Sequence, residues 1–321
     1  MRVGRGRPGG DAGLPAGDAR ARPPLVRAEA AARLRLRPLS RPYTVLDVFT
    51  ATALQGNALA VVHDADGLSD GAMLRMARET RLSETAFVQS PDAEGANYRN
   101  RIFTIETELP FAGHPSLGVA VAVARRRGER SARYVQQTGA GLQPVEVELD
   151  AQGAGGQASM LQEPAVFGPR LDKAKTMAAA GLAPEDAHPE LQPQVVSTGI
   201  RHVMAPVVST DALHRAAADE LALAALLEPH GAIVLYVAAL EDGHVRARGF
   251  TPVVAGGEDP ATGSAAGPLC AFLSHHTGSD HVEIEQGVEI GRPSLLRAAI
   301  EGDRVRVGGD VVVLVDGTVR L

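Results

Sequence analysis

The chain has one cysteine, no tryptophan and no long apolar run. With Cys270 as its only thiol, it cannot form an intramolecular disulfide framework or a zinc or iron–sulfur site built from several thiolates, which suits a reducing, cytoplasmic setting. The longest apolar stretches, such as Val119–Ala124 and Ala232–Leu240, fall well short of the roughly 20 residues that span a membrane, so no membrane partner is expected. The ten histidines include no His-Glu-x-x-His spacing, and no metal site is expected. Also missing are the Gly-x-x-x-x-Gly-Lys loop and the Gly-x-Gly-x-x-Gly turn of nucleotide-binding folds. The Gly-x-Ser-x-Gly elbow of serine hydrolases is missing too, because in Thr262-Gly263-Ser264-Ala265-Ala266-Gly267 the glycine directly precedes the serine.

Basic charge is scarce outside the start of the chain. Residues 1–40 hold nine arginines against Asp11, Asp18 and Glu29, a balance of +6 that leaves −12 for the remainder of a chain of net charge −6. That stretch is rich in Arg, Pro, Gly and Ala and reads as a disordered basic extension. It has none of the interleaved aromatics of a nucleic-acid-binding arm, and the acidic body is a poor partner for DNA. The full 321 residues, 45% hydrophobic, leave room for about two domains with real cores.

From Tyr43 onward short strand-like and helix-like pieces alternate. Strands are expected at Tyr43–Phe49, Ala58–His63, Ala86–Gln89, Tyr98–Phe103 and Val145–Leu149, with a helix capped by Ser69 from Asp70 to about Thr80. The glycine-rich run 151–156 is the candidate domain junction. Beyond it, strands are expected at Gln194–Ser197, His202–Val207, Ile233–Ala238 and His244–Phe250, and helices at Asp211–Ala217 and Ala222–Glu228. Two almost wholly apolar helices stand out, at Pro115–Arg127 and from Ala265 to about His276. The first runs from Gly113-His114-Pro115 to Gly128 and the second from Gly263-Ser264-Ala265 to Gly278, the same spacing in each. The halves look duplicated, with two positive helix ends facing one cleft.

Three polar groups compete for chemical roles. Glu84, in Leu82-Ser83-Glu84-Thr85, sits between a helix end and an apolar strand, where partial desolvation would raise its proton affinity and suit it to proton transfer. His114 begins the first apolar helix, whose positive end favours a neutral imidazole. Asp259 lies in Glu258-Asp259-Pro260-Ala261-Thr262-Gly263-Ser264-Ala265, where free helix-start amides could hold an anion. Each also has a plain reading, as a solvated loop carboxylate, a core-lining histidine and a helix cap.

Together with Asp47-Val48-Phe49-Thr50, Gly56-Asn57, Phe111-Ala112-Gly113-His114-Pro115, Glu285-Gln286-Gly287 and Gly291-Arg292-Pro293, these blocks resemble, in order and spacing, the signature of the phenazine-biosynthesis (PhzF-like) isomerase family from about Tyr43 to Leu321. The resemblance implies an α/β (α+β) protein of diaminopimelate-epimerase-like fold: two pseudo-symmetric domains, each a curved mixed sheet around a central helix. The first would span 41–150 plus a returning strand at about 311–321, and the second 157–310. It implies a homodimer, no cofactor and a small carboxylate-bearing substrate. Glu84 would be the acid/base, with His114 and Asp259 beside it and substrate contacts from Asn57, Gly113, Pro115, Ser116, Gly263, Ser264 and Ala265. Related racemases use two cysteines, whereas the two helix starts here carry His114 and Ser264, and Cys270 lies inside the second helix as a small hydrophobe. A single glutamate returning a proton to the same face therefore fits better. A non-catalytic binding protein on this fold and a cysteine-independent epimerase stay open.

Overall fold

A computed structural model describes residues 40–241, 244–252 and 257–321, so the basic stretch 1–39 lies outside the described residues. Ser40, grouped with that stretch in the sequence reading, opens the first strand.

The first half contains β1 (Ser40–Val48), β2 (Asn57–Val62), α1 (Asp70–Thr80), β3 (Glu84–Gln89), β4 (Tyr98–Phe103), β5 (Glu108–Leu109), α2 (Gly113–Arg127), β6 (Ser131–Thr138), β7 (Gly141–Leu149) and β8 (Gly155–Leu161). The second half contains β9 (Val166–Arg170), α3 (Lys173–Ala179), β10 (Gln194–Ser197), β11 (Arg201–Val207), α4 (Thr210–Arg215), α5 (Glu220–Leu227), β12 (Leu235–Glu241), β13 (His244–Phe250), β14 (Glu258–Asp259), α6 (Gly263–Thr277), β15 (His281–Gln286), β16 (Ser294–Glu301) and β17 (Arg304–Arg320). All the strands join one mixed sheet that curves around the two apolar helices. Helix α2 packs on β1, β2, β3, β7 and β8, and α6 on β10, β11, β15, β16 and β17. Sheet on every side explains their composition: every residue of α2 from His114 to Ala124 is buried, and only the terminal arginines reach solvent. Both helices stop at a left-handed glycine, Gly128 and Gly278. Among the described residues, no helix is long and apolar enough to cross a membrane.

The duplication extends to individual contacts. In the first half β4 pairs with β5 as Ile102↔Leu109 and Phe103↔Glu108, and in the second β13 pairs with β14 as Gly249↔Asp259 and Phe250↔Glu258. Arg101 forms a two-pronged ion pair with Glu108 while lying over the Phe103 ring, and Arg248 does the same with Glu258 and Phe250. Both forks hold the short strand that delivers the chain to an apolar helix start. The segment 151–156, read as a junction, holds the turn between β7 and β8, with Gly153 at φ 66° and the two strands paired at Leu149↔Gly156. Its glycines and alanines suit a tight turn. Strand β17 begins against β16, then pairs with β8, and from Val311 onward runs along β1.

Candidate active site

The helix starts touch. A β-carbon added to Gly113 would stand 3.3 Å from the Ser264 nitrogen, and one added to Gly263 would meet the Phe49 ring at 2.7 Å. Phe49 is fully buried with φ 66°, a backbone region that costs a bulky residue energy, and its ring is wedged between Gly263 and Gly309. Neither helix has a side-chain cap. The amides of Gly113 and His114, and of Gly263 and Ser264, thus head the two helices with no acceptor in their own first turns.

Two expected substrate contacts are spent inside the protein. The Ala265 N–H donates to the Thr262 carbonyl at 2.9 Å because the helix opens with a tight turn. The Ser116 hydroxyl donates to the Ala112 carbonyl at 2.8 Å and is fully buried. Pro115, with no N–H, fits the first turn and offers no donor. Asn57, at the start of β2, donates from Nδ2 to Asp259 Oδ1 at 2.9 Å and to the Ala261 carbonyl at 3.1 Å, so it orients Asp259. The other oxygen of Asp259 accepts from the Thr262 hydroxyl at 2.8 Å. Sequence reasoning assigned no role to Gln286 or Tyr236. Gln286 donates to the Asp259 carbonyl at 2.7 Å and to Thr262 Oγ1 at 2.9 Å, and accepts from the Thr262 amide at 3.0 Å and the Tyr236 hydroxyl at 2.8 Å. Its place in a signature block was the available signal.

Glu84 opens β3 opposite Leu59, with 12% of its side chain exposed. Its Oε2 lies 3.3 Å from His114 Nε2, yet both atoms are buried and out of line for a hydrogen bond, so each keeps a bonding position unfilled. Burial, reinforced by the negative charge of Asp259, pushes the Glu84 carboxyl up to about 8. Burial likewise raises Asp259 to about 6, against its hydrogen bonds from Thr262 and Asn57. His114 is driven down to about 3 by burial, with the backbone of Ala58 opposing, and is a neutral imidazole at neutral pH. Among the described residues, no cluster of three or more His, Cys, Asp or Glu could hold a metal ion. Cys270 is fully buried and its thiol is pushed up to about 12, which removes it as a nucleophile.

Pairing registers locate the counterpart of Glu84. Phe103 and Phe250 hold equivalent places beside the short strands β5 and β14, and Thr85 faces Phe103 across β3 and β4 as Leu235 faces Phe250 across β12 and β13. The position equivalent to the glutamate in the second half is therefore Val234, apolar and buried. The cleft has a titratable carboxyl at this position on one side only.

Comparison with known proteins agrees with this geometry. A family model described as phenazine biosynthesis-like protein matches residues 46–317. The trans-2,3-dihydro-3-hydroxyanthranilate isomerase of Pseudomonas aeruginosa is 40% identical over 269 residues, 83% of this chain and 92% of that protein. The enzyme of the same name from Pseudomonas fluorescens is 37% identical, covering 87% of this chain and 99% of its own. Among solved structures, a Bacillus anthracis PhzF-family phenazine biosynthesis protein superposes with a TM-score of 0.78 at 25% identity, over 88% of this chain and all of that one. A hydroxyproline epimerase from Agrobacterium vitis, 13% identical, shares the fold at a TM-score of 0.59, over 87% of this chain and 91% of its own. The fold is diaminopimelate-epimerase-like, as the resemblance implied.

Proposed function

From the premise that this chain belongs to the phenazine biosynthesis-like (PhzF) family and is an isomerase, we propose that it shifts a double bond in a small, carboxylate-bearing cyclic substrate, with Glu84 as the only acid/base. The reading is carried by the lone Glu84 carboxyl facing His114, with Val234 in the mirrored place. The ionised carboxylate takes a proton from an allylic C–H. The C–H electron pair becomes a new C=C as the existing one moves along, and Glu84, now neutral, gives its proton to the far carbon on the same face. A proton affinity near neutrality allows both halves of that cycle. The substrate carboxylate rests on the amides of Gly113, His114, Gly263 and Ser264, while neutral His114 holds a polar substituent and Asp259 keeps Glu84 from ionising too readily. The substrate's own conjugated carboxylate spreads the developing charge, so the step calls for no further electron sink. Two-base epimerisation needs an acid/base at each of the two helix starts, where this chain has His114 and Ser264 in place of thiols, and is disfavoured.

The relatives' names make trans-2,3-dihydro-3-hydroxyanthranilate the first substrate to try. Turnover in deuterium oxide should place solvent label at the carbon that gains the proton, and Glu84→Gln should lower turnover by roughly 10²–10⁴-fold while the fold survives. Wild-type turnover by the glutamine variant would remove Glu84 from the mechanism. Binding of the compound without any turnover would favour a non-catalytic binding protein.

A further inference from the structure

Asp259 ends a chain of hydrogen bonds in which each proton has one place to go. Gln286 Nε2 donates to the Asp259 carbonyl and its Oε1 accepts from the Thr262 N–H. A carbonyl only accepts and an N–H only donates, so the Gln286 amide cannot be turned round. The Tyr236 hydroxyl must then donate to Oε1, and Thr262 Oγ1 must accept from Nε2. That leaves the Thr262 proton for Asp259 Oδ2, at 2.8 Å. Asn57 is fixed in the same way, because its Nδ2 donates to the Ala261 carbonyl as well as to Asp259 Oδ1.

The matching places in the first half are filled differently. Pairing beside the equivalent Phe103 and Phe250 equates Ile102 with Gly249, Leu109 with Asp259 and Ala86 with Tyr236. Just ahead of the two helices, Ala112 corresponds to Thr262. Along the parallel pairs Arg99↔Gln137 and Arg246↔Glu285, Thr138 corresponds to Gln286. The next residue agrees: β-carbons added to Gly139 and Gly287 would each press on the proline of their own half, Pro110 at 2.9 Å and Pro260 at 2.5 Å. Ala86, Ile102, Leu109 and Ala112 carry no polar side-chain group, and Thr138 bonds within its own hairpin, to Gln143 Oε1 at 3.2 Å.

Five positions differ together, and the difference is steric as well as polar. Gly249 stands where the first half has Ile102, and a β-carbon there would fall 2.6 Å from Thr262 Oγ1 and 3.1 Å from Gln286 Nε2. Glycine weakens a strand interior, so the room it leaves for the Thr262 and Gln286 contact gives it a purpose. The ionisable groups that act on Asp259 oppose its charge: Glu84, and the neighbouring Glu258, which Arg248 pairs. Donors committed to both of its oxygens favour the carboxylate against that opposition.

We propose that Gln286, backed by Tyr236, is a positioning residue that commits the Thr262 hydroxyl proton to Asp259 and so holds Asp259 as an oriented carboxylate. The proposal rests on the role given above to Asp259, as the charge that tempers Glu84.

The test follows the Asp259 carboxyl across pH by carbon-13 NMR in the whole protein, with Asp259→Asn to assign its signal, and measures kcat for trans-2,3-dihydro-3-hydroxyanthranilate alongside. Thr262→Val removes the donor and should lower the Asp259 ionisation constant by about 10-fold or more, so that the carboxyl ionises at higher pH. Thr262→Ser, which keeps the hydroxyl, should stay within about 3-fold of wild type. Gln286→Leu should act in the same direction by about 3-fold or more, yet add less than about 2-fold in a Thr262→Val background, where the proton it commits is gone. Gln286→Leu also strips the Asp259 carbonyl and the Thr262 N–H of a partner. Tyr236→Phe spares both, should make a smaller shift of the same sign, and replaces the leucine variant if that one does not fold. An Asp259 titration unmoved by Thr262→Val, or moved equally by Gln286→Leu or Tyr236→Phe with and without the Thr262 hydroxyl, overturns the proposal. Wild-type kcat in a variant whose Asp259 titration has moved overturns instead the role given to Asp259, so the two failures are told apart.

Discussion

Glu84 holds a carboxyl that folding makes harder to ionise, and this has a consequence for stability that can be measured apart from activity. Its folded-state value, about 8, lies above the ordinary 4.5. Between those values the folded protein binds more protons at this site than the unfolded chain does, so its contribution to stability is present at low pH and lost as pH rises toward 8. Glu84→Gln, neutral at every pH, avoids that loss. The variant should therefore melt higher than wild type at pH 7 to 8, with the difference shrinking toward pH 4 in paired thermal melts. A difference that grew on acidification would mean that the carboxylate, not the acid, is the form favoured by folding. Phe49 pays in another currency, a left-handed backbone, for a ring that seats the start of α6.

At the level of elements, the helix starts are held by groups that tolerate little added volume. A β-carbon at Gly267 would fall 1.9 Å from Gln162 Oε1, displacing the side chain that donates to the Gly263 carbonyl. Gly267→Ala should lower stability by about 1–3 kcal/mol, seen as a shifted denaturant midpoint with an unchanged slope, and should weaken substrate binding as well. Unaltered binding in a destabilised variant would separate that turn from the cleft. Both apolar helices were legible in the sequence because their glycine stops and continuous apolar faces are local signals. His114 and Asp259 stood out because each sits in a short block whose glycines and prolines demand a particular backbone, and Glu84 because it lies between a helix end and an apolar strand. Strand β9 was not legible: Val-Phe-Gly-Pro-Arg has neither alternation nor burial and becomes a strand only by pairing with β10. For Ser116 and Ala265 the sequence shows a donor but not the acceptor within the protein that holds it.

The whole molecule is tied together by β17, whose single run of 17 residues serves β16, β8 and β1 in turn. The halves should consequently unfold as one, giving a single calorimetric transition, and a chain ending at Gly309 should lose cooperative melting because β1 is left with β2 as its only partner. Two transitions in the intact protein would show that the halves keep independent stabilities. The last pairings of that strand set Arg320 opposite Ser40. Followed from Ser40 to Arg320, the path of the chain returns to its point of departure, so the first and last strands of the body close on each other. The cleft between the twin helix starts lies far along that path from both of its paired ends, Ser40 and Arg320.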